Sequence, residues 1–121
     1  MLKSTVFVIE DDADTLEIIA TALTEAGYEV SAGKDITMLY GIEKQPPGLL
    51  LMDNWLSGDK TGHDICYQLK QNPATASIPV ILISGTRNLE ATAERCGADG
   101  FICKPFDIPE LLKTVATHIK P

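Results

Sequence analysis

The sequence predicts an α/β fold: a doubly wound, five-stranded parallel sheet in the order 2-1-3-4-5, covered by five helices. Two observations carry this. Short apolar runs alternate with helical patterns five times along 121 residues, the rhythm of successive βα units, and five units are too few for a closed eight-unit barrel. The residues with the most chemistry to offer, Glu10-Asp11-Asp12, Asp53, Ser84 and Lys104-Pro105, each follow one of those apolar runs, at residues 5–9, 49–52, 80–83 and 101–103. The carboxyl ends of neighbouring strands in an open parallel sheet line one crevice. Four points far apart in the chain are therefore expected at a single site.

The elements follow in order. A first helix after Asp12 carries Leu16, Ile19, Ala20 and Leu23 at the spacing of one buried stripe, with Gly27 as a left-handed stop. A second strand near residues 28–32 leads to a second helix with Ile36, Leu39 and Tyr40 on one side, ended before Pro46-Pro47. The third strand reaches Asp53, and a third helix over residues 62–71 turns Ile65, Cys66 and Leu69 inward and closes at Asn72-Pro73. Pro79 opens the fourth strand, where its missing N–H costs little. The fourth helix, residues 88–96, has only Leu89, Thr92, Ala93 and Cys96 to bury before Gly97 and is the most weakly anchored element. The last helix starts at Asp107-Ile108-Pro109-Glu110, an Asp-capped box, and buries Leu112, Val115, Ala116 and Ile119.

Length and an apolar content of 45% suit one compact domain over residues 1–121. The apolar stretches are far shorter than the ~20 residues of a membrane span, and no secretory leader is recognisable, so a soluble cytoplasmic protein without membrane contact is expected. Ten Lys and Arg against seventeen Asp and Glu give a net charge of −7, which disfavours direct binding to a phosphate backbone. Cys66, Cys96 and Cys103 lack metal-site spacing and read as small buried fillers. His63 and His118 each stand alone on a helix and read as surface residues.

Glu10, Asp11 and Asp53 in one crevice would carry a severe repulsion and desolvation cost without a counter-ion. A hard divalent cation fits: Mg²⁺ accepts one or two carboxylates, keeps several waters and binds phosphate oxygens. Lys104 adds an ammonium that can meet a carboxylate or a phosphoryl oxygen, and Ser84 adds a small hydroxyl. Nucleophilic carboxylate, metal, hydroxyl and ammonium together supply the positioning and charge neutralisation that phosphoryl transfer to an aspartate requires. Asp53, ending the central strand, is the best nucleophile candidate. The backbone carbonyl of Trp55 is the expected third protein ligand of the metal.

The segments 6–12 (VFVIEDD), 50–53 (LLMD), 79–85 (PVILISG) and 97–106 (GADGFICKPF), in this order and at these separations, resemble the receiver domain of two-component response regulators, a flavodoxin-like fold. The resemblance covers residues 4–119. It implies Asp53 as phosphoacceptor, Asp11 as a direct Mg²⁺ ligand with Mn²⁺ able to substitute, and Glu10 as the acidic partner. It further implies Ser84 as the switch hydroxyl, Lys104 as the contact to phosphoryl and carboxylate, Phe101 as the switching aromatic, and a cis Lys104-Pro105 bond. The implied partners are a histidine kinase or histidine phosphotransfer protein upstream. Downstream, a protein would be controlled through the face of the fourth helix, fifth strand and fifth helix. No enzymatic activity is implied apart from self-phosphorylation and autodephosphorylation.

The chain departs from the family pattern in four places. Ser57 stands where a Pro usually follows the phosphoacceptor by four residues; Gly62 comes nine residues on rather than eight; and the interval from Ser84 to Lys104 is about two residues short. Phe101 lacks the hydroxyl of the frequent Tyr. Asp12 reads first as a helix cap rather than a metal ligand, and Trp55 as a partial lid over the acyl phosphate. Two other classes compete: a Mg²⁺ phosphatase or phosphotransferase acting on metabolites, and a receiver-like module working without phosphorylation. Enzymes of the haloacid dehalogenase type place a second carboxylate two residues after the nucleophile, where this chain has Trp55. The intact acidic pair, Asp53, Ser84 and Lys104 count against the second.

Overall fold

A computed structural model describes residues 5–55, 61–85 and 87–119. Its strands are β1 (Thr5–Ile9), β2 (Glu29–Gly33), β3 (Leu49–Asp53), β4 (Val80–Ser84) and β5 (Gly100–Cys103). All neighbours pair in parallel, in the order β2-β1-β3-β4-β5. Every residue of β3 and β4 is buried, as expected of central parallel strands covered on both faces. Successive side chains alternate between two cores. Val6, Val8, Leu49, Leu51, Ile81, Ile83 and Ile102 pack against helices α1 (Ala13–Glu25) and α4 (Ile108–His118). Ile9, Leu50, Met52, Val80 and Leu82 pack against α2 (Gly62–Gln71) and α3 (Leu89–Cys96).

Helix ends follow local chemistry. The Asp12 side chain accepts from Thr15 N at 2.9 Å and caps α1, and Gly27, at φ 101°, turns the chain back. Thr61 and Asp64 form a reciprocal capping box on α2. Gly97, at φ 82°, ends α3, and Asp107 caps α4 by accepting from Glu110 N at 2.8 Å. At the amino ends of the strands, Lys70 Nζ donates to Ile78 O (2.7 Å), Ala76 O (3.2 Å) and Asp99 Oδ2 (2.8 Å), and Asp99 Oδ2 also accepts from Val80 N at 2.8 Å. This knot joins α2 to β4 and β5.

Three expectations are corrected. The second helix is only a 3-10 turn, Ile36–Leu39, capped by Asp35, so the described residues contain four α-helices rather than five. Gly41, at φ 80°, breaks any continuation, and Tyr40 is exposed rather than inward. On α4, Val115 is buried and Leu112 and Ile119 pack partly buried on the core as expected, but Ala116 is exposed and Leu111, not expected, is fully buried. Cys66 and Cys96 are buried, but Cys103, the last residue of edge strand β5, is exposed. Burial pushes the Cys66 thiol well above its usual range, which makes it inert.

Candidate functional site

The parallel register brings the strand ends to one rim. Ile9 pairs with Met52, Asp53 with Ile83, and Ser84 with Cys103, so Glu10, Asp53, Ser84 and Lys104 emerge side by side. Lys104 N–H donates to Ser84 O at 2.9 Å, and the following Lys104-Pro105 bond is cis. From there the ammonium reaches back over the sheet. Lys104 Nζ lies 2.8 Å from Glu10 Oε1 and 3.0 Å from Asp53 Oδ2. Asp53 Oδ1 accepts from Trp55 N at 2.9 Å, and Glu10 Oε2 from Asp12 N at 3.2 Å. Glu10, Asp11 and Asp53 each offer a carboxylate oxygen, and the three atoms lie within 4.8 Å of one another.

Glu10 is completely buried beneath this rim. Burial pushes its carboxyl up to about 7, with Asp53 pushing the same way, while Lys104 and the Asp12 N–H pull it down only in part. Burial alone would lower the Lys104 ammonium, but its bonds to Glu10 and Asp53 outweigh that and hold it above its usual range. One ammonium thus serves two carboxylates and leaves residual negative charge. Three hard oxygen donors, one of them on exposed Asp11, match what Mg²⁺ accepts while keeping water. Softer metals, which favour sulfur or imidazole, have no such donors in this cluster.

The other predicted residues fall as follows. Ser84 is buried at the end of β4, next to Asp53 on β3. Phe101 is half-buried against the α2 and α3 core. Trp55 is 55% exposed, so it borders the site without closing it. Asp12 is a cap, its carboxyl held below the usual range by the Thr15 hydroxyl and N–H. The two histidines are half-buried rather than free on the surface. His118 Nδ1 lies 2.9 Å from Thr114 O, and His63 Nδ1 lies 2.9 Å from Asn54 Oδ1. Buried Asn54 was not singled out from the sequence, where nothing marks it except its place after Asp53. Ser57 lies outside the described residues.

The sequence matches the family model of the response regulator receiver domain over residues 6–116. The chain belongs to that family. The receiver is 32% identical to the phosphate regulon transcriptional regulatory protein PhoB of Pseudomonas aeruginosa, an alignment covering 100% of this chain and 55% of that protein. It is 29% identical to the DNA-binding dual master transcriptional regulator RpaA of Synechocystis over 95% of this chain and 48% of the relative. Among solved structures, a putative response regulator from Chloroflexus aurantiacus superposes with a TM-score of 0.88 at 28% identity, covering 96% of this chain and 97% of the other. The chemotaxis response regulator CheY4 of Vibrio cholerae, at 21% identity and a TM-score of 0.86, covering 98% and 100%, shares the flavodoxin-like fold.

The receiver spans about half the length of the regulators PhoB and RpaA. Because such relatives include a DNA-binding regulator, the acidic balance bears on this segment alone. Receiver domains bind Mg²⁺ at an acidic cluster and are generally not enzymes. Among the described residues no helix is long and apolar enough to cross a membrane.

Proposed function

We propose that the receiver accepts a phosphoryl group from a phosphohistidine donor onto Asp53. One observation carries this reading: Lys104 joins the Glu10 and Asp53 carboxylates at the rim where β4 presents Ser84. Asp53 Oδ1 and Oδ2 are held by the Trp55 N–H and Lys104 Nζ, which aims the carboxylate for attack. Asp11, Asp53, the Trp55 carbonyl and, through water, Glu10 would hold Mg²⁺, with Mn²⁺ as a substitute; the ion supplies charge neutralisation on the phosphoryl oxygens. Lys104 meets one of those oxygens, and the Ser84 hydroxyl reorients toward another.

Once Lys104 and Ser84 turn to the phosphoryl group, the conformational equilibrium of the face formed by α3, β5 and α4 shifts, with Phe101 moving inward. This is the face assigned above to the fourth helix, fifth strand and fifth helix. Helix α3 is eight residues long and buries Leu89, Ala93 and Cys96; so short an anchored segment rearranges at low cost. A histidine kinase or phosphotransfer protein is the proposed donor, and output passes by protein binding at that face in a cytoplasmic signalling system.

Intact-mass measurement after incubation with acetyl phosphate and Mg²⁺ tests this. One phosphoryl group per chain is expected, and none in Asp53→Asn. Full labelling of that variant would remove Asp53 from the role, and an unlabelled wild type would favour a module that works without phosphorylation.

A further inference from the structure

The end of β3 is tied directly to the start of α2. Gly62 N–H donates to Asn54 O at 2.7 Å and His63 N–H to Asn54 Oδ1 at 2.8 Å, so the first two amides of α2 grip both acceptors of one residue. His63 Nδ1 approaches the same Oδ1 at 2.9 Å. Asn54 is 1% exposed. A reversed amide would set its NH₂ against the His63 N–H, donor to donor, so the oxygen must face the helix. The ring nitrogen must then carry a proton, and His63 holds Asn54 through both main chain and side chain. Thr61 Oγ1 lies 3.1 Å from the same Nδ1. Contact is close enough that a Cβ on Gly62 would lie 2.5 Å from Asp53 O and 2.9 Å from Asn54 Cα.

Trp55 directly follows the held Asn54; its N–H fixes Asp53 Oδ1 and its carbonyl belongs to the proposed metal ligands. The family's usual Pro is replaced in the loop after Asp53 by Ser57, and the loop is one residue longer.

We propose that His63 and Asn54 are positioning residues for the phosphoacceptor site: the His63 ring, through Asn54, fixes the backbone of Trp55 and so sets the affinity of the site for Mg²⁺. This rests on the phosphoacceptor reading. Residues that orient metal ligands from behind are typically worth 10–100-fold in metal affinity.

The test is the Mg²⁺ dissociation constant, followed through the fluorescence of Trp55, the single tryptophan, together with urea unfolding in EDTA. His63→Ala is expected to weaken Mg²⁺ binding about tenfold. His63→Asn, whose amide nitrogen falls near the place of Nδ1, should restore affinity to within about twofold of wild type. His63→Gln, similar in size and well suited to a helix, places its nitrogen too far out and should bind as weakly as His63→Ala; it serves if the alanine variant does not fold. Stability alone cannot yield that order, since Gln suits the helix better than Asn. Equal affinities for wild type and His63→Gln, or no recovery in His63→Asn, would overturn the proposal. Failure of wild type to label with acetyl phosphate would instead sink the phosphoacceptor reading, since Mg²⁺ affinity is measured without phosphodonor.

Discussion

Lys104 donates to Glu10 Oε1 across 2.8 Å although 94 positions separate the two residues in the chain. The bond spans the sheet from β5 to β1, passing Asp53 on β3, and neutralises a carboxylate that has no exposed surface. Removing the ammonium leaves Glu10 and Asp53 facing each other without a fixed cation. Lys104→Met is expected to lose about 2 kcal/mol of stability at pH 8 in EDTA and to label slowly with acetyl phosphate. The stability loss should shrink at pH 5, where Glu10 takes up a proton. Urea unfolding at the two pH values checks this; an equal loss at both would mean that the pair is not the source.

The raised Glu10 carboxyl makes a prediction of definite sign. Its folded value is about 7 against 4.5 for the free group, so the folded protein holds the extra proton between those values. The associated stability is fully present below about pH 4.5 and lost as pH rises through about 7. The metal-free receiver should therefore melt at a lower temperature at pH 8 than at pH 5.5, apart from the common background of its other groups. Saturating Mg²⁺ should raise the melting temperature more at pH 8 than at pH 5.5, because the ion competes with the proton. Glu10→Gln should flatten the metal-free profile over that interval. A wild-type profile that coincides with that of Glu10→Gln would contradict it.

Trp55 lies beside the site with its N–H on Asp53 Oδ1, and the residue is 55% exposed. A ring so placed screens one approach of water to an acyl phosphate but not all of them. Trp55→Ala is expected to lose its phosphoryl group severalfold faster, measured by intact mass after the phosphodonor is removed. An unchanged or slower rate would assign the ring no protective part.

Much of this arrangement was legible in the sequence, and what escaped it has physical causes. Strands β1, β3 and β4 are short apolar runs with a polar residue at the carboxyl end, and the sheet converts that linear pattern into a shared rim. Ile36, Leu39 and Tyr40 fitted a helical stripe, but one turn of periodicity cannot outweigh the Gly41 break. Leu111 and Leu112 adjoin on α4 and both pack on the same core, Leu111 fully buried and Leu112 partly, a split that the spacing alone does not decide. Asn54 and His63, nine positions apart, meet only because α2 starts directly beneath the end of β3. No periodicity encodes that contact.

Gly62 shows the same junction from the steric side. An added Cβ would fall 2.5 Å from Asp53 O, a backbone atom that cannot swing away. Gly62→Ala must push the start of α2 off the end of β3 and stretch the 2.7 Å bond from Gly62 N to Asn54 O. A loss of about 2 kcal/mol is expected, together with weaker Mg²⁺ binding. Both are measurable by urea unfolding with and without Mg²⁺. Full stability in the variant would show that the helix start can shift at no cost.

Lys70 separates stability from function. It stands at the amino ends of the strands, away from the carboxyl rim, and its ammonium satisfies Ile78 O, Ala76 O and Asp99 Oδ2 together. Lys70→Met keeps the stem that packs beside Gly97 but takes the ammonium from two carbonyls and leaves the Asp99 carboxylate oxygen with the Val80 N–H alone of the two donors. Charge-assisted bonds of this kind are worth about 2 kcal/mol net, and the orphaned Ile78 carbonyl belongs to a residue only 2% exposed. The variant should unfold at distinctly lower urea while binding Mg²⁺ and labelling on Asp53 as wild type does under native conditions. If Mg²⁺ affinity fell in parallel with stability, the two rims would be coupled through the sheet, and the separation argued from geometry would fail.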